Sequence, residues 1–102
     1  DWIQAKLFIN RDYKQTEVSS LTPLEHKILR YMDQKNKMND NIPVMCTYDE
    51  LITAIWEDIY SYTANDVNHL IAALRKKIEL DFKNPVFLVN IRGMGYRLVT
   101  NP

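Results

Sequence analysis

The sequence predicts an α+β domain with a short antiparallel sheet at its N-terminal end, three helices and a C-terminal β-hairpin. Three observations predict it. Apolar residues recur at spacings of three and four in three successive stretches, each preceded by a helix-start signal. Two strand-like runs then flank Gly93 and Gly95, the only glycines in the chain. Near the start, the breaker-rich tetrapeptide Arg11–Asp12–Tyr13–Lys14 separates two short stretches that contain β-branched and aromatic residues.

The elements follow in chain order. Residues Lys6 to Asn10 and Gln15 to Val18 read as the two early strands around that turn. In Thr22–Pro23–Leu24–Glu25, Thr22 suits a helix N-cap, Pro23 its first turn, and Glu25 the reciprocal arm of a capping box. The first helix follows, with Leu24, Ile28, Tyr31 and Met32 as its apolar stripe, and the polar stretch 36–41 ends the pattern. A second capping box, Thr47–Tyr48–Asp49–Glu50, opens a short helix that buries Leu51, Ile52, Ile55 and Trp56 and stops near Glu57. Thr63, with Asp66 three residues on, starts the third helix. There Val67, Leu70, Ile71, Leu74 and Ile78 form the core side, leaving Asn65, Asn68, His69, Ala72, Ala73 and Lys76 on the opposite face with Arg75 and Lys77 beside it. Finally Val86 to Ile91 and Tyr96 to Val99 read as strands joined by Arg92–Gly93–Met94–Gly95. Placing both glycines at one tip asks for a backbone reason, either a positive φ or a close approach to a ligand.

Composition bounds what such a domain does. At 102 residues and 46% hydrophobic, the chain is large enough for one core. It begins with Asp, and a strand-like run reaches almost to Pro102, so the expectation is a segment of a longer polypeptide. No apolar run approaches the ~20 residues of a membrane span, and a lone cysteine, Cys46, forms no internal disulfide, so a cytoplasmic setting is expected. Cys46 reads as a small core residue, because no histidine and carboxylate or amide arrangement accompanies it. Glu25, Asp49 and Glu50 each have a capping role. His26, Cys46 and His69 are too scattered for a metal site, and the glycines lie between strands rather than before a helix. Neither enzymatic activity nor a cofactor is expected. Net charge is zero, but its distribution is not even: residues 1–63 hold seven Lys/Arg against ten Asp/Glu, and residues 64–102 hold six against three. The cations gather on the third helix and the hairpin.

Three helices followed by an arginine-bearing hairpin is the order of a winged helix-turn-helix, in which the hairpin is the wing and supplies a second DNA contact. The motifs sharpen this. Leu21–Thr22–Pro23–Leu24–Glu25, Glu50–Leu51 with Ile55–Trp56, Val67 with Leu70–Ile71, Leu74–Arg75–Lys76–Lys77–Ile78, and Ile91–Arg92–Gly93–Met94–Gly95–Tyr96–Arg97–Leu98 together resemble the OmpR/PhoB-type effector domain. The likeness covers nearly the whole chain, and the ten residues between Trp56 and Val67 match that family's loop in length. The resemblance implies sequence-specific binding of double-stranded DNA for transcription regulation in a two-component system. It also implies homodimers on repeated half-sites, and RNA polymerase as the partner of the loop at 57–62.

Residue roles follow from that picture. Asn65, Asn68 and His69 are expected at base edges in the major groove, with Ala72 and Ala73 on the same face. Lys76 and Arg75 are expected at phosphates, Arg92 at the adjacent minor groove with Arg97 nearby, and Thr63 at a phosphate through its hydroxyl and the helix N-terminus. The chain departs from the family where arginines are common, at Asn65 and Ala73, and has Leu70 where a histidine is usual. Each missing phosphate contact lowers the logarithmic salt slope by roughly 0.9. The alternative is a winged helix turned to protein–protein contact, with the Arg75–Lys76–Lys77 run a merely solvated helix end.

Overall fold

The computed structural model describes residues 20–58 and 60–100. The two early strands predicted at 6–10 and 15–18 lie outside the described residues. Within them the order is α1 (Pro23–Lys37), β1 (Cys46–Thr47), α2 (Tyr48–Trp56), α3 (Ala64–Ile78), β2 (Leu88–Ile91) and β3 (Gly95–Leu98). This is an α+β winged helix: three helices against a small antiparallel sheet in the order β1-β3-β2.

Local signals set the helix starts. Both predicted capping boxes form: Thr22 N donates to Glu25 Oε1 at 2.8 Å and Glu25 N to Thr22 Oγ1 at 3.2 Å, and the pair Thr47 and Glu50 repeats this at 2.7 and 3.2 Å. Each box satisfies donors that have no partner within the first turn. α2 ends at Glu57, which takes a left-handed conformation at φ 59°, uncommon for a residue with a side chain.

One core holds the helices and sheet together. Ile28, Leu29, Met32, Leu51, Ile55, Ile71, Leu74, Ile78, Phe87 and Leu88 are fully buried. The α1 stripe is turned relative to expectation: Leu24 is exposed, whereas Glu25 and Leu29 are buried. Leu29 joins Ile28 and Met32 in the core, which sets the buried side of α1, and Glu25 on that side is paired with Lys77 of α3, whose Nζ lies 2.6 Å from Glu25 Oε1. Trp56 is only partly buried and stacks on Tyr62 with ring centroids 4.3 Å apart. Cys46 is buried, and burial together with the nearby Glu50 carboxylate raises its thiol to about 11, the state of an inert core residue.

The wing is shorter than the predicted strands and is tied at its base. Its register pairs Leu88 with Leu98, Val89 with Arg97, Asn90 with Tyr96 and Ile91 with Gly95. Val86 and Phe87 precede the ladder because their N–H groups, with that of Leu88, are taken by the fully buried carboxylate of Glu79 at 2.8 to 3.2 Å. At the tip, Met94 N donates to Ile91 O at 2.9 Å and Gly93 has φ +73°, as a tight turn with a left-handed third residue requires. Gly95 answers to the other reason, close approach, but what approaches is the protein's own strand β1: a Cβ there would meet Cys46 O at 1.9 Å.

Candidate nucleic-acid interface

The face opposite the core on α3 is open. Asn65, His69, Ala72, Ala73 and Lys76 are all exposed, and at about 100° per residue they fall within an arc of about 100°. That width suits insertion into a groove about 12 Å across. Two edges bound it, and each is fastened to a different element.

The edge carrying Asn68 and Arg75 is fastened to the wing. Asn68 Oδ1 accepts from the Tyr96 hydroxyl at 2.7 Å and from the Tyr48 hydroxyl at 3.1 Å. Asn90 Nδ2 reaches Tyr48 Oη at 3.4 Å and Gly95 O at 3.1 Å, and the two tyrosine rings meet edge to face at 5.9 Å. Arg75 donates from Nε and Nη2 to Leu88 O at 3.1 and 2.7 Å, with its guanidinium 5.4 Å from the Tyr96 ring centroid. Hydrogen bonds from a charged donor contribute about 1.5–3 kcal/mol, so this edge is a firm joint between helix and wing. The opposite edge carries Leu70 and Lys77. Leu70 packs on the core, and Lys77 donates to Glu25 and to Ser20 O at 3.1 Å, fastening α3 to α1.

These contacts sort the residues predicted for DNA. Asn65, His69, Ala72, Ala73 and Lys76 share the open face, and Arg92 is exposed at the wing tip. Four others are differently employed. Asn68, expected at a base edge, has its carbonyl oxygen held by two tyrosines, and Arg75, expected at a phosphate, is turned onto the wing backbone. Arg97 is half-buried and, by strand alternation, lies on the side of β3 opposite Tyr96, the residue that touches α3. Thr63 gives its backbone N–H and its hydroxyl to Asp66 Oδ2 at 2.7 and 3.3 Å, so a carboxylate already occupies the start of α3 and opposes a phosphate there. Of the run 75–77, only Lys76 is exposed.

Tyr48, Asn90 and Glu79 were not singled out from the sequence. Tyr48 and Asn90 are distant in sequence from α3, and nothing in spacing brings them to Asn68. Glu79 follows the last turn of α3 and looks like an ordinary surface acid.

The α2–α3 connection forms a second exposed feature. The Ser61 side chain, together with the N–H groups of Tyr60 and Ser61 that donate to Asp58 Oδ1 at 3.0 and 3.3 Å, holds the Asp58 carboxyl below its usual range, and Tyr60 is 93% exposed.

Comparison with known proteins matches residues 15–98 to the family described as transcriptional regulatory protein, C terminal. The chain is 30% identical over 88 residues to the response regulator GtcR of Aneurinibacillus migulanus, covering 86% of this chain and 34% of that protein. It is 31% identical over 86 residues to the alkaline phosphatase synthesis transcriptional regulatory protein PhoP of Bacillus subtilis, covering 84% and 33%. It is 32% identical over 84 residues to the DNA-binding response regulator MtrA of Mycolicibacterium smegmatis, covering 82% and 34%. The chain thus spans about a third of the length of these relatives.

Proposed function

This chain belongs to the family of transcriptional regulatory protein C-terminal domains, and on that premise we propose that it binds double-stranded DNA with α3 in the major groove and the wing at the neighbouring minor groove. The family is one of DNA-binding transcription regulators, not an enzyme class. One observation carries the reading: Asn68 and Arg75 fasten the wing to the rim of the open face of α3, so the helix and the wing meet a duplex as one rigid surface.

In this reading Asn65 and His69 meet base edges, since an amide pairs with adenine and an imidazole donor with guanine. Ala72 and Ala73 allow close approach and contact thymine methyls, and Lys76 and Arg92 neutralise phosphates, Arg92 from the minor-groove side. Asn68 and Arg75 position these groups rather than reading DNA themselves. The relatives are about three times as long and are named as regulators, and the same setting is proposed here: the output domain of a two-component response regulator. It acts as a homodimer on repeated half-sites and offers the 57–62 loop, with the exposed Tyr60 and the acids Glu57 and Asp58, to RNA polymerase.

A salt titration with a short mixed-sequence duplex tests DNA binding. Affinity is expected to fall steeply from low to physiological salt, and Lys76→Ala with Arg92→Ala to flatten the log–log slope by about 1.8, two contacts at roughly 0.9 each. No binding at low salt would turn the reading toward a protein-docking module.

A further inference from the structure

The open face of α3 holds one lysine where a DNA reader is expected to hold several cations, because Arg75 and Lys77 on either side of it are turned to protein partners. The loop that follows the helix brings up a second. Lys76 Nζ lies 5.8 Å from the centroid of the Phe82 ring and Lys83 Nζ lies 6.0 Å from the same centroid, so the two ammonium groups are within about 12 Å of each other.

The loop holding them is well braced. Asp81 Oδ1 accepts from Lys83 N at 3.0 Å, Asp81 Oδ2 accepts from Asn84 Nδ2 at 2.8 Å, and Asn84 N donates to Asp81 O at 3.0 Å. At its base the buried Glu79 clasps the N–H groups of 86–88, closing the excursion onto the end of α3. Phe82 is 41% exposed, a large ring left at the surface with both ammonium groups near it. Each ammonium gains about 0.5–1 kcal/mol from the ring at an exposed site, which gathers like charges without neutralising them. A duplex carries a negative charge about every 1.7 Å along its axis, so several phosphates fall within the reach of such a pair.

We propose that Lys83, gathered with Lys76 at the Phe82 ring, is a second backbone-phosphate contact that extends the DNA grip past the C-terminal end of α3. The inference rests on the duplex-binding reading above and adds to it a residue outside both α3 and the wing.

The test uses the 102-residue chain and a short mixed-sequence duplex, with affinity measured at several salt concentrations. Lys83→Ala is expected to flatten the log–log slope by about 0.9 and to weaken binding about five- to tenfold at ~0.1 M salt. Lys83→Arg restores both, and Phe82→Leu, which removes the ring but keeps an apolar side chain, gives a smaller loss. Thermal midpoints of Lys83→Ala and the parent chain coincide. If Lys83→Ala binds with the parent's slope while Lys76→Ala does not, this inference is wrong and the duplex reading stands. If the parent chain itself shows no salt-dependent binding, both fall together.

Discussion

Replacing Gly95 by alanine is expected to dismantle the wing sheet. The added Cβ would sit 1.9 Å from Cys46 O, 2.8 Å from Cys46 C and 2.9 Å from Thr47 Cα. All three are backbone atoms of β1, so no side-chain rotation relieves the clash. β1 and β3 must separate, which breaks the pairing of Cys46 with Tyr96 and of Thr47 with Gly95 and opens the core beneath the buried Cys46. The cost is expected to reach at least about 4 kcal/mol, a large share of the 5–15 kcal/mol that typically holds a domain folded. Thermal denaturation followed by circular dichroism should show a fall of roughly 15–30 °C, or no cooperative transition. Gly93→Ala is the internal comparison. Nothing lies within 4 Å of its added Cβ, but φ is +73°, so about 1–2 kcal/mol of backbone strain is expected. If Gly95→Ala proved no worse than Gly93→Ala, the proposed crowding of β1 against β3 would be wrong.

Glu79→Ala is expected to be the other severe substitution. The carboxylate is fully buried and accepts from three consecutive backbone N–H groups, those of Val86, Phe87 and Leu88. Alanine leaves these donors without that acceptor, at about 1–3 kcal/mol for each group that stays buried. A total near 3–5 kcal/mol is expected. Glu79→Gln should fall between, since one amide oxygen still accepts while the NH2 group faces other donors. Hydrogen exchange at the amides of 86–88 should accelerate in Glu79→Gln before it does elsewhere in the sheet. Uniform acceleration across all elements would show that the carboxylate acts on global stability and not as a local clasp.

Both residues show how far the sequence could be read. Thr22, Glu25, Thr47 and Glu50 were legible because a capping box is a local pattern of four residues, and the helices they start were found where expected. Gly93 was legible as a turn residue for the same reason. Gly95 was half legible: its need for space was expected, but what fills the space is β1, nearly fifty residues away in sequence. Leu24 was placed on the buried stripe because it is apolar and correctly spaced. The core takes Leu29 beside Ile28 and Met32 instead, and Glu25 on that side is paired with Lys77, fifty-two positions away. The same limit governs the interface. Periodicity found the face holding Asn65, His69, Ala72, Ala73 and Lys76, yet it treats Asn68 and Arg75 as equally outward. Only the arrival of Tyr48, Tyr96 and the Leu88 carbonyl at that rim distinguishes a residue that fixes the wing from one on the open face.

The near-neutral chain also takes on a different meaning. Part of the charge that offsets in the total is paired within the protein, since Lys77 meets Glu25 and Lys35 lies 3.6 Å from Glu50. Lys76, Lys83 and Arg92 are left on the exposed surface of the C-terminal part. With so few cations, affinity for any one half-site is expected to be modest, and a dimer on adjacent half-sites raises it through effective concentration.

A titration of the isotope-labelled chain with duplex, followed by backbone amide chemical shifts, decides whether helix and wing act on one ligand. Residues Asn65, His69, Ala72, Ala73 and Lys76 should move together with Arg92, Gly93 and Met94, all with the same apparent affinity, while Arg30 and Gln34 on the outer side of α1 stay in place. Shifts limited to α3 or to the hairpin alone, or centred on α1, would contradict a single rigid surface.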